Sequence, residues 1–291
     1  MKSQTYDVVI VGAGPAGVFA ALELAQEPGL RVAILDKGPD IDRRHCPARE
    51  PGGSCRHCQP CAILTGWGGA GAFSDGKLTL SPAVGGHLPE ILGPDRAARL
   101  IERVDDTYCH YGAPELVYGT DNDEIEALEK RAVKSGLRFV SVPIRHMGTE
   151  RCVDIMQRIR DDLVARGVTV LTRTPVSRIL SENGRVSGVE IKTGRGSLST
   201  QRLEAQAVIV APGREGAAWL KEVGGHLGLT QTRNPVDLGV RVELPAVVLE
   251  PITELVYESK FLYTTRAFDD NVRTFCMCPY GEVSTEYAGD V

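Results

Sequence analysis

The sequence predicts an α/β protein with a doubly wound, mostly parallel sheet, an antiparallel β meander and part of a β-rich domain. Three observations predict this fold class. Short apolar runs, which suit strands buried on both faces, alternate with segments of helical periodicity. The pair Asn183-Gly184 lies between two alternating runs, which is typical of a hairpin turn. After Pro235, extended alternating segments dominate.

The first element, Tyr6 to Lys37, has the pattern of a strand, a glycine turn, a helix and a second strand. Gly12, Gly14 and Gly17 form the motif G-x-G-x-x-G at the point where the strand meets the helix. Such glycines permit a tight turn, close approach of the backbone to a pyrophosphate, and close packing of helix on strand. Asp36 ends the second strand, where an acid accepts hydrogen bonds from an adenosine ribose. The pattern predicts a Rossmann-type dinucleotide site and disfavours NADP there.

Length, composition and charge exclude several classes of protein. The chain has 291 residues, 42% of them apolar, a formal net charge of −5 and a pI near 5.8. This charge gives no field that would attract nucleic acid or an anionic membrane. No run approaches the roughly 20 apolar residues that span a bilayer, and the N-terminus has no apolar signal region. We therefore expect a cytoplasmic protein with a small-molecule substrate; the oligomeric state stays open.

Residues 38–82 form a long insertion rich in cysteine and glycine. A loop of this length is uncommon unless it has a function. Its second half is glycine-rich, and we expect Gly68, Gly69 and Ala70 to approach a ligand such as a flavin dinucleotide. Its first half contains four cysteines, whose spacing is compatible with an iron–sulfur or zinc site, with thiol redox chemistry, or with a structural role. These cysteines are Cys46, Cys55, Cys58 and Cys61.

Helical periodicity predicts three helices, at Asp95–Tyr111, Asp123–Ser135 and Val153–Arg166. Phe139–Ile144 is expected to be extended. Val168–Leu171 should be a strand that lies parallel to the first two strands.

The period then changes to that of a strand. Val176–Leu180 and Val186–Thr193 are predicted to form the hairpin, and a third strand around Leu198–Leu203 should complete the meander. Ala207–Ala211 is predicted to be a separate buried strand that ends at Pro212-Gly213.

Three further strands are expected near the C-terminus, at Val236–Leu244, Thr253–Tyr257 and Thr274–Met277. We therefore predict a dinucleotide-binding domain over residues 1–230, which includes the 38–82 insertion. Residues 231–291 should begin a β-rich substrate domain.

The order of these parts resembles the glutathione-reductase-like superfamily of FAD/NAD(P)-binding oxidoreductases. The resemblance rests on GAGPAG at Gly12–Gly17, on Asp36, on the T-P-V turn at Thr174–Val176 and on AVIVAPG at Ala207–Gly213. It implies that the backbone at Val176 contacts the adenine. It also implies that the strand ending at Gly213 runs towards the flavin.

Within that superfamily, the chain resembles a bacterial family of uncharacterised FAD-dependent dehydrogenases. This resemblance rests on the segments at Gly66–Leu78, Pro143–Glu150 and Phe275–Val283, together with the C-x2-C-x2-C run. The superfamily closes its FAD site with a late Gly-Asp segment. The sequence reaches Val291 before such a segment. We therefore expect this sequence to be the N-terminal part of a longer protein, and we expect this part to bind FAD weakly by itself.

Two smaller patterns leave alternatives open. Cys276 and Cys278 would lie on the same face of a strand, where they could approach the flavin or fill apolar space. Arg145-His146 could bind an anionic group or have a structural role.

The resulting prediction is a FAD-dependent oxidoreductase of unknown substrate, with NAD(P)H as one candidate electron partner. No side chain is assigned as catalyst and none as a metal ligand. The alternatives are an NAD-binding enzyme of the same fold, such as the thiazole-synthase type, and a flavin-containing component that modifies RNA or binds protein. The predicted cofactor-binding residues are Gly12, Gly14, Pro15, Ala16, Gly17, Asp36, Lys37, Gly68, Gly69, Ala70, Val176, Ala211, Pro212 and Gly213.

Overall fold

The computed structural model describes residues 4–193, 199–232 and 236–281. Its strands are β1 (Gln4–Val11), β2 (Val32–Leu35), β3 (Lys77–Thr79), β4 (Val117–Tyr118), β5 (Arg138–Val140), β6 (Ile144–His146), β7 (Thr169–Leu171), β8 (Val176–Glu182), β9 (Arg185–Thr193), β10 (Ser199–Val210), β11 (Lys260–Thr264) and β12 (Asn271–Arg273). Its α-helices are α1 (Pro15–Leu24), α2 (Leu88–Leu92), α3 (Pro94–His110), α4 (Asn122–Lys134), α5 (Thr149–Ala165), α6 (Ala217–His226) and α7 (Glu250–Val256).

The described chain divides into two compact units. The first comprises residues 4–73, 152–193, 199–232 and 236, and the second comprises residues 74–151 and 237–281. The boundary predicted at residue 231 differs from this division, because residues 74–151 group with the C-terminal segment. Strand β5 pairs with β11, so that Phe139 lies opposite Phe261. A pairing between segments so distant in sequence leaves no local pattern from which to predict it.

The first unit is built on a six-stranded sheet with the order β7-β2-β1-β10-β9-β8. The pairs β7–β2, β2–β1 and β1–β10 are parallel, and β10–β9 and β9–β8 are antiparallel. Val9, Ile10, Ile34 and Leu35 are completely buried, as expected for central strands of a parallel sheet. The predicted α/β fold class, with its parallel sheet and meander, is confirmed.

Strand β10 corrects one detail of the prediction. The third meander strand and the strand Ala207–Ala211 were expected to be separate. The structure instead has a single strand of 12 residues, Ser199–Val210, in place of these two predicted strands. Its first half pairs with β9 and its second half with β1. Leu198, which was predicted to begin the meander strand, lies outside the described residues.

The second unit contains two three-stranded sheets, β3-β6-β4 and β12-β11-β5, together with α2, α3, α4 and α7. The predicted helices correspond to α3, α4 and α5 within a few residues of their predicted bounds. The single extended segment predicted at Phe139–Ile144 is instead two short strands that belong to different sheets.

The three strands predicted near the C-terminus are wrong. Val236–Leu244 has no regular secondary structure, and its alternating apolar side chains are exposed, with Leu238 at 95%. Thr253–Tyr257 belongs mainly to α7, where Ile252, Leu255 and Val256 pack against α4 and β5 at helical spacing. Thr274–Met277 is irregular chain that follows β12. An alternating pattern specifies a strand only where a neighbouring strand supplies backbone partners.

Candidate functional site

The candidate site of the first unit is a cavity at the carboxyl ends of its parallel strands. The loops after β1, β2 and β10 all contribute to it, as expected for ligand sites of open α/β sheets. Its volume is about 610 Å³, within the range of small-molecule sites. We call it the strand-end cavity. Its lining residues include Gly12, Gly14, Pro15, Asp36, Lys37, Gly69, Ala70, Val176, Ser177, Glu190, Ala211, Pro212, Gly213, Glu215 and Trp219.

The three glycines of the first turn serve different purposes. Gly12 has a φ of +103°, and a Cβ there would lie 2.1 Å from the Ala211 carbonyl oxygen. A Cβ on Gly17 would lie 1.9 Å from the Gly12 carbonyl oxygen. At Gly14 the nearest atom to such a Cβ is the Cα of Gly69, at an ordinary 3.8 Å. Gly12 and Gly17 are therefore required for the backbone packing of the turn itself. A side chain at Gly14 would instead enter open space at the cavity wall.

Helix α1 begins at this open space. Gly14 is its N-cap and supplies no side chain to the first turn, and Pro15 occupies the first helical position. The free backbone N–H groups and the helix dipole of such an N-terminus favour an anion. Ala16 and Gly17 follow in this turn, although neither is among the residues that line the cavity.

The second glycine run packs directly on the first. The N–H of Gly68 donates to the Ala13 carbonyl oxygen at 2.8 Å, and a Cβ on Gly69 would lie 2.7 Å from the Cα of Gly14. Gly69 begins a short 3₁₀-helix, Gly69–Phe73. Contact between the backbones of the two runs explains why both are glycine-rich. Gly69 and Ala70 line the cavity, and Gly68 lies behind them.

Asp36 has a structural task in addition to the one predicted. Its Oδ2 accepts a hydrogen bond from the N–H of Ala13 at 2.9 Å. Its Oδ1 accepts from the N–H groups of Gly38 and Gly66, each at 2.8 Å. A carboxylate has about four acceptor positions, so one remains for a ligand. Asp36 thus joins the first glycine turn to the start of the second while lining the cavity.

Arg44 is a buried residue that the sequence analysis missed. Its guanidinium donates to the carbonyl oxygens of Ala62, Ile63, Trp67 and Gly69 at 2.6–2.9 Å. Burial lowers its pKa to about 10, against the opposing effect of nearby Asp36. The five fixed donors of an arginine suit this task. No local pattern distinguishes Arg44 from its neighbour Arg43.

Trp67 anchors the same loop from its other side. Its side chain is fully buried and its Nε1 donates to the Met156 carbonyl oxygen of α5 at 2.8 Å. The second glycine run is therefore held at several points where it presents its backbone to the cavity.

The rest of the cavity wall carries polar side chains that the sequence analysis did not select. Ser177 Oγ donates to Glu190 Oε1 at 2.8 Å, beside the predicted adenine contact Val176. Lys37 forms an ion pair with Glu215 at the loop after β10. Burial lowers the pKa of Lys37, against the opposing charge of Asp36.

The four cysteines of the insertion differ in their surroundings. Cys61 is buried with Ile63 and Leu64, and Cys46 packs against this apolar cluster. Cys58 is exposed and Cys55 half-buried, and all are free thiols. Among the residues that the structure describes, no three His, Cys, Asp or Glu side chains are grouped closely enough to hold a metal ion. For Cys46 and Cys61 the geometry favours the structural role.

Arg145 and His146 lie in the second unit, and each has an acidic partner. Arg145 is buried, and its guanidinium makes a two-bond contact with Asp105, with Nη2–Oδ2 at 2.8 Å. This contact raises the pKa of Arg145. His146 Nε2 lies 2.9 Å from Asp75 Oδ1. The structural alternative therefore holds for Arg145.

Comparison with known families decides the cofactor. The sequence profile of a family described as FAD dependent oxidoreductase matches residues 7–58. The profile of a family described as FAD binding domain matches residues 75–237, more than half of the chain. The chain belongs to the FAD binding domain family. FAD is its cofactor, as predicted, and the two matches support a FAD-dependent oxidoreductase family; membership of the glutathione-reductase-like superfamily stays a prediction.

Individual relatives are distant. A curated relative, an uncharacterized protein of Clostridium beijerinckii, is 24% identical over 297 residues, which cover 97% of this chain and 47% of that protein. The chain thus spans about half the length of the curated relative. Glycine oxidase from Geobacillus kaustophilus is 19% identical, with a TM-score of 0.44 and coverage of 78% of this chain and 60% of that one. A 3-ketosteroid dehydrogenase from Rhodococcus jostii is 18% identical, with a TM-score of 0.46 and coverage of 71% and 45%.

The length and apolarity of the helices bear on whether any of them could be a membrane span. Within residues 4–193, 199–232 and 236–281, none has the length and apolarity to cross a bilayer.

Proposed function

We propose that the protein is a FAD-dependent oxidoreductase that acts on a small-molecule substrate and binds the dinucleotide in the strand-end cavity. One observation carries the proposal. Two glycine runs meet at the carboxyl edge of the sheet, and the cavity wall at Gly14 has room that no protein atom fills. A pyrophosphate suits that space, because the space lies at the N-terminus of α1, where no side chain caps the free N–H groups.

The cavity residues fit the two halves of the cofactor. The first turn and α1 would hold the pyrophosphate, and the free acceptor position of Asp36 would receive the ribose. Val176 and the Ser177–Glu190 pair would lie at the adenine. Ala211 to Gly213 would lie along the cofactor towards its flavin. The bound isoalloxazine supplies the electron transfer, and the protein supplies binding, orientation and exclusion of water.

The absorbance spectrum of the purified 291-residue chain tests the proposal, together with the mass of any molecule released on denaturation. We expect flavin absorbance, either as purified or after addition of FAD, and the mass of FAD in the released material. Release of NAD without flavin absorbance would contradict the proposal and favour an NAD-binding enzyme of the same fold. Anaerobic mixing with NADH or NADPH then asks whether a nicotinamide dinucleotide reduces the bound flavin.

A further inference from the structure

The second unit contains a buried ionic cluster that the proposed FAD chemistry does not use. Lys77 Nζ lies 2.6 Å from Glu258 Oε2, and Lys260 Nζ pairs with the other oxygen of the same carboxylate. The side chains of Lys77, Glu258 and Lys260 are 13%, 7% and 8% exposed. Lys77 Nζ also lies 3.8 Å from Asp75 Oδ2.

Asp75 itself is firmly held. Tyr257 Oη donates to both carboxylate oxygens, at 3.0 and 2.9 Å, and His146 contacts Oδ1. The rings of His146 and Tyr257 stack with centroids 4.2 Å apart. Burial, followed by the charge of Asp75, raises the pKa of Tyr257, so its hydroxyl keeps its proton and remains a donor.

Lys77 also contacts the C-M-C segment. Its Nζ lies 3.7 Å from Cys276 Sγ and 3.9 Å from Cys278 Sγ, and it donates to the carbonyl oxygen of Met277. The φ of Cys276 is +54°, so this segment is not the strand that the sequence predicted. Both sulfurs nevertheless approach one ammonium group. We call Asp75, Lys77, Glu258, Lys260, Cys276 and Cys278 the lysine–thiol cluster.

A second contact fixes the same segment. Met277 Sδ accepts hydrogen bonds from the Oγ and the N–H of Ser259, at 3.2 and 3.4 Å. Ser259 is completely buried. The segment that carries the two cysteines is therefore held by a buried residue, while both cysteines remain exposed to solvent and to small reagents.

The two thiols are not equivalent. Although Cys278 is exposed, the side of it that packs against the protein loses solvation, and this raises its pKa to about 11; Lys77 opposes the rise and Asp75 adds to it. Cys278 is therefore a neutral thiol at neutral pH, and we assign the first attack to Cys276, whose side chain is exposed and whose Sγ lies closer to Lys77 Nζ. In thiol–disulfide exchange a thiolate attacks a disulfide sulfur, and a second thiol resolves the mixed disulfide that results.

We propose that Cys276 and Cys278 form a reversible dithiol–disulfide couple, supported by Lys77, whose oxidant is a low-molecular-weight disulfide. The Cys276 thiolate attacks one sulfur of the reagent, which forms a mixed disulfide and releases one thiolate. Cys278 then attacks Cys276 Sγ and releases the second half of the reagent, which takes the Cys278 proton. In total, two protein thiols lose two electrons and two protons, and one disulfide becomes two thiols.

Peptide mapping after treatment with oxidised glutathione tests the proposal. Tryptic cleavage after Arg273 gives a peptide that begins at Thr274 and contains both cysteines of the pair and no other. We expect this peptide to be about 2 Da lighter than its reduced form, to resist alkylation, and to recover with dithiothreitol. Cys276→Ser should prevent this product, and Cys109→Ser should leave it unchanged. Stable glutathione adducts or free thiols on both cysteines in the treated wild-type protein would overturn the proposal.

The role of Lys77 has its own test. In Lys77→Gln the rate of the reaction at Cys276 with oxidised glutathione at pH 7 should fall about tenfold, and Lys77→Arg should retain most of it. Lys134→Gln, at an exposed helical lysine, is the matched control. An unchanged rate in folded Lys77→Gln would overturn the role of Lys77. If that variant does not fold, the wild-type protein supplies the test. Its Cys276–Cys278 pair should be oxidised faster in the folded state than in urea, and an equal or slower rate in the folded state would overturn the role of the cluster.

Discussion

The strand-end cavity and the lysine–thiol cluster are built from different parts of the chain. The two glycine runs bring backbone to the cavity, and the side chains of Asp36 and Arg44 hold these runs through hydrogen bonds to backbone groups. The cluster consists of charged and nucleophilic side chains from segments about 200 residues apart, such as Lys77 and Cys278. A backbone site can be recognised in a linear sequence, because its turns leave a glycine pattern. A site of converging side chains cannot.

The largest expected effect lies in the cluster. Glu258→Gln leaves the ammonium groups of Lys77 and Lys260 buried without their shared carboxylate, so the free energy of unfolding should fall by about 3–5 kcal/mol. Urea unfolding at pH 7 measures this loss. Glu254→Gln, at an exposed position of α7, should change it by about 0.5 kcal/mol or less. Equal stability of the two variants would mean that the buried carboxylate is not needed to balance the lysines.

The stabilisation that Glu258 contributes should also depend on pH. Burial alone would raise the pKa of Glu258, but its contacts with Lys260 and Lys77 outweigh burial and lower it. The stabilisation is therefore fully present above the unfolded pKa of about 4.3 and is lost as the pH falls through the lowered folded value. The difference between wild type and Glu258→Gln should be constant from neutral pH to about 5 and shrink only at more acidic pH.

A smaller effect is expected at Asp36, where the cavity depends on a side chain. In Asp36→Asn the NH₂ group of the amide, itself a donor, faces backbone N–H donors. We therefore expect the free energy of unfolding of the apoprotein to fall by about 3 kcal/mol. FAD affinity should also fall by about tenfold or more, because the ribose acceptor changes. Asp42→Asn, whose side chain is 65% exposed, is the control for unfolding and for FAD titration. A loss of affinity without any loss of stability would restrict Asp36 to ligand binding.

Gly14→Ala separates binding from folding within one turn. A methyl group there meets no protein atom closer than 3.8 Å, so the midpoint of apoprotein unfolding should not change. The methyl group occupies the space assigned to the pyrophosphate, and FAD affinity should fall about 10- to 100-fold. Gly17→Ala is the matched variant, and its Cβ would lie 1.9 Å from a carbonyl oxygen, so it should lose stability. Unaltered FAD affinity in Gly14→Ala would remove the pyrophosphate from this position.

The smallest expected effect concerns Cys278, in reduced protein that carries Cys276→Ser. Because its pKa is raised to about 11, alkylation of Cys278 by iodoacetamide should be slow at pH 8 and should increase with pH up to about that value. Cys58, an exposed thiol of the first unit, provides the comparison within the same sample. Equal rates at pH 8 would show that the cluster does not hold Cys278 as a thiol.

The sequence by itself determined the parts of this protein that depend on local rules. Buried runs, helical periodicity and the Asn183-Gly184 turn predicted the sheet and meander, and the glycines from Gly12 to Gly17 predicted the cavity at the end of β1. The hairpin and the glycine turn could be predicted because their partners lie close together in the sequence, and the central strands because burial on both faces selects continuous apolar runs.

Only the tertiary structure decided which alternating segments become strands and which charged side chains meet. Val236–Leu244 has the pattern of a strand, but strand pairing needs a partner that the pattern does not specify. Arg44 and Lys77 resemble other basic residues in the sequence, and their burial depends on carbonyl oxygens and carboxylates that folding brings together. The free energy of a buried charge depends on these distant partners, so local sequence does not encode it.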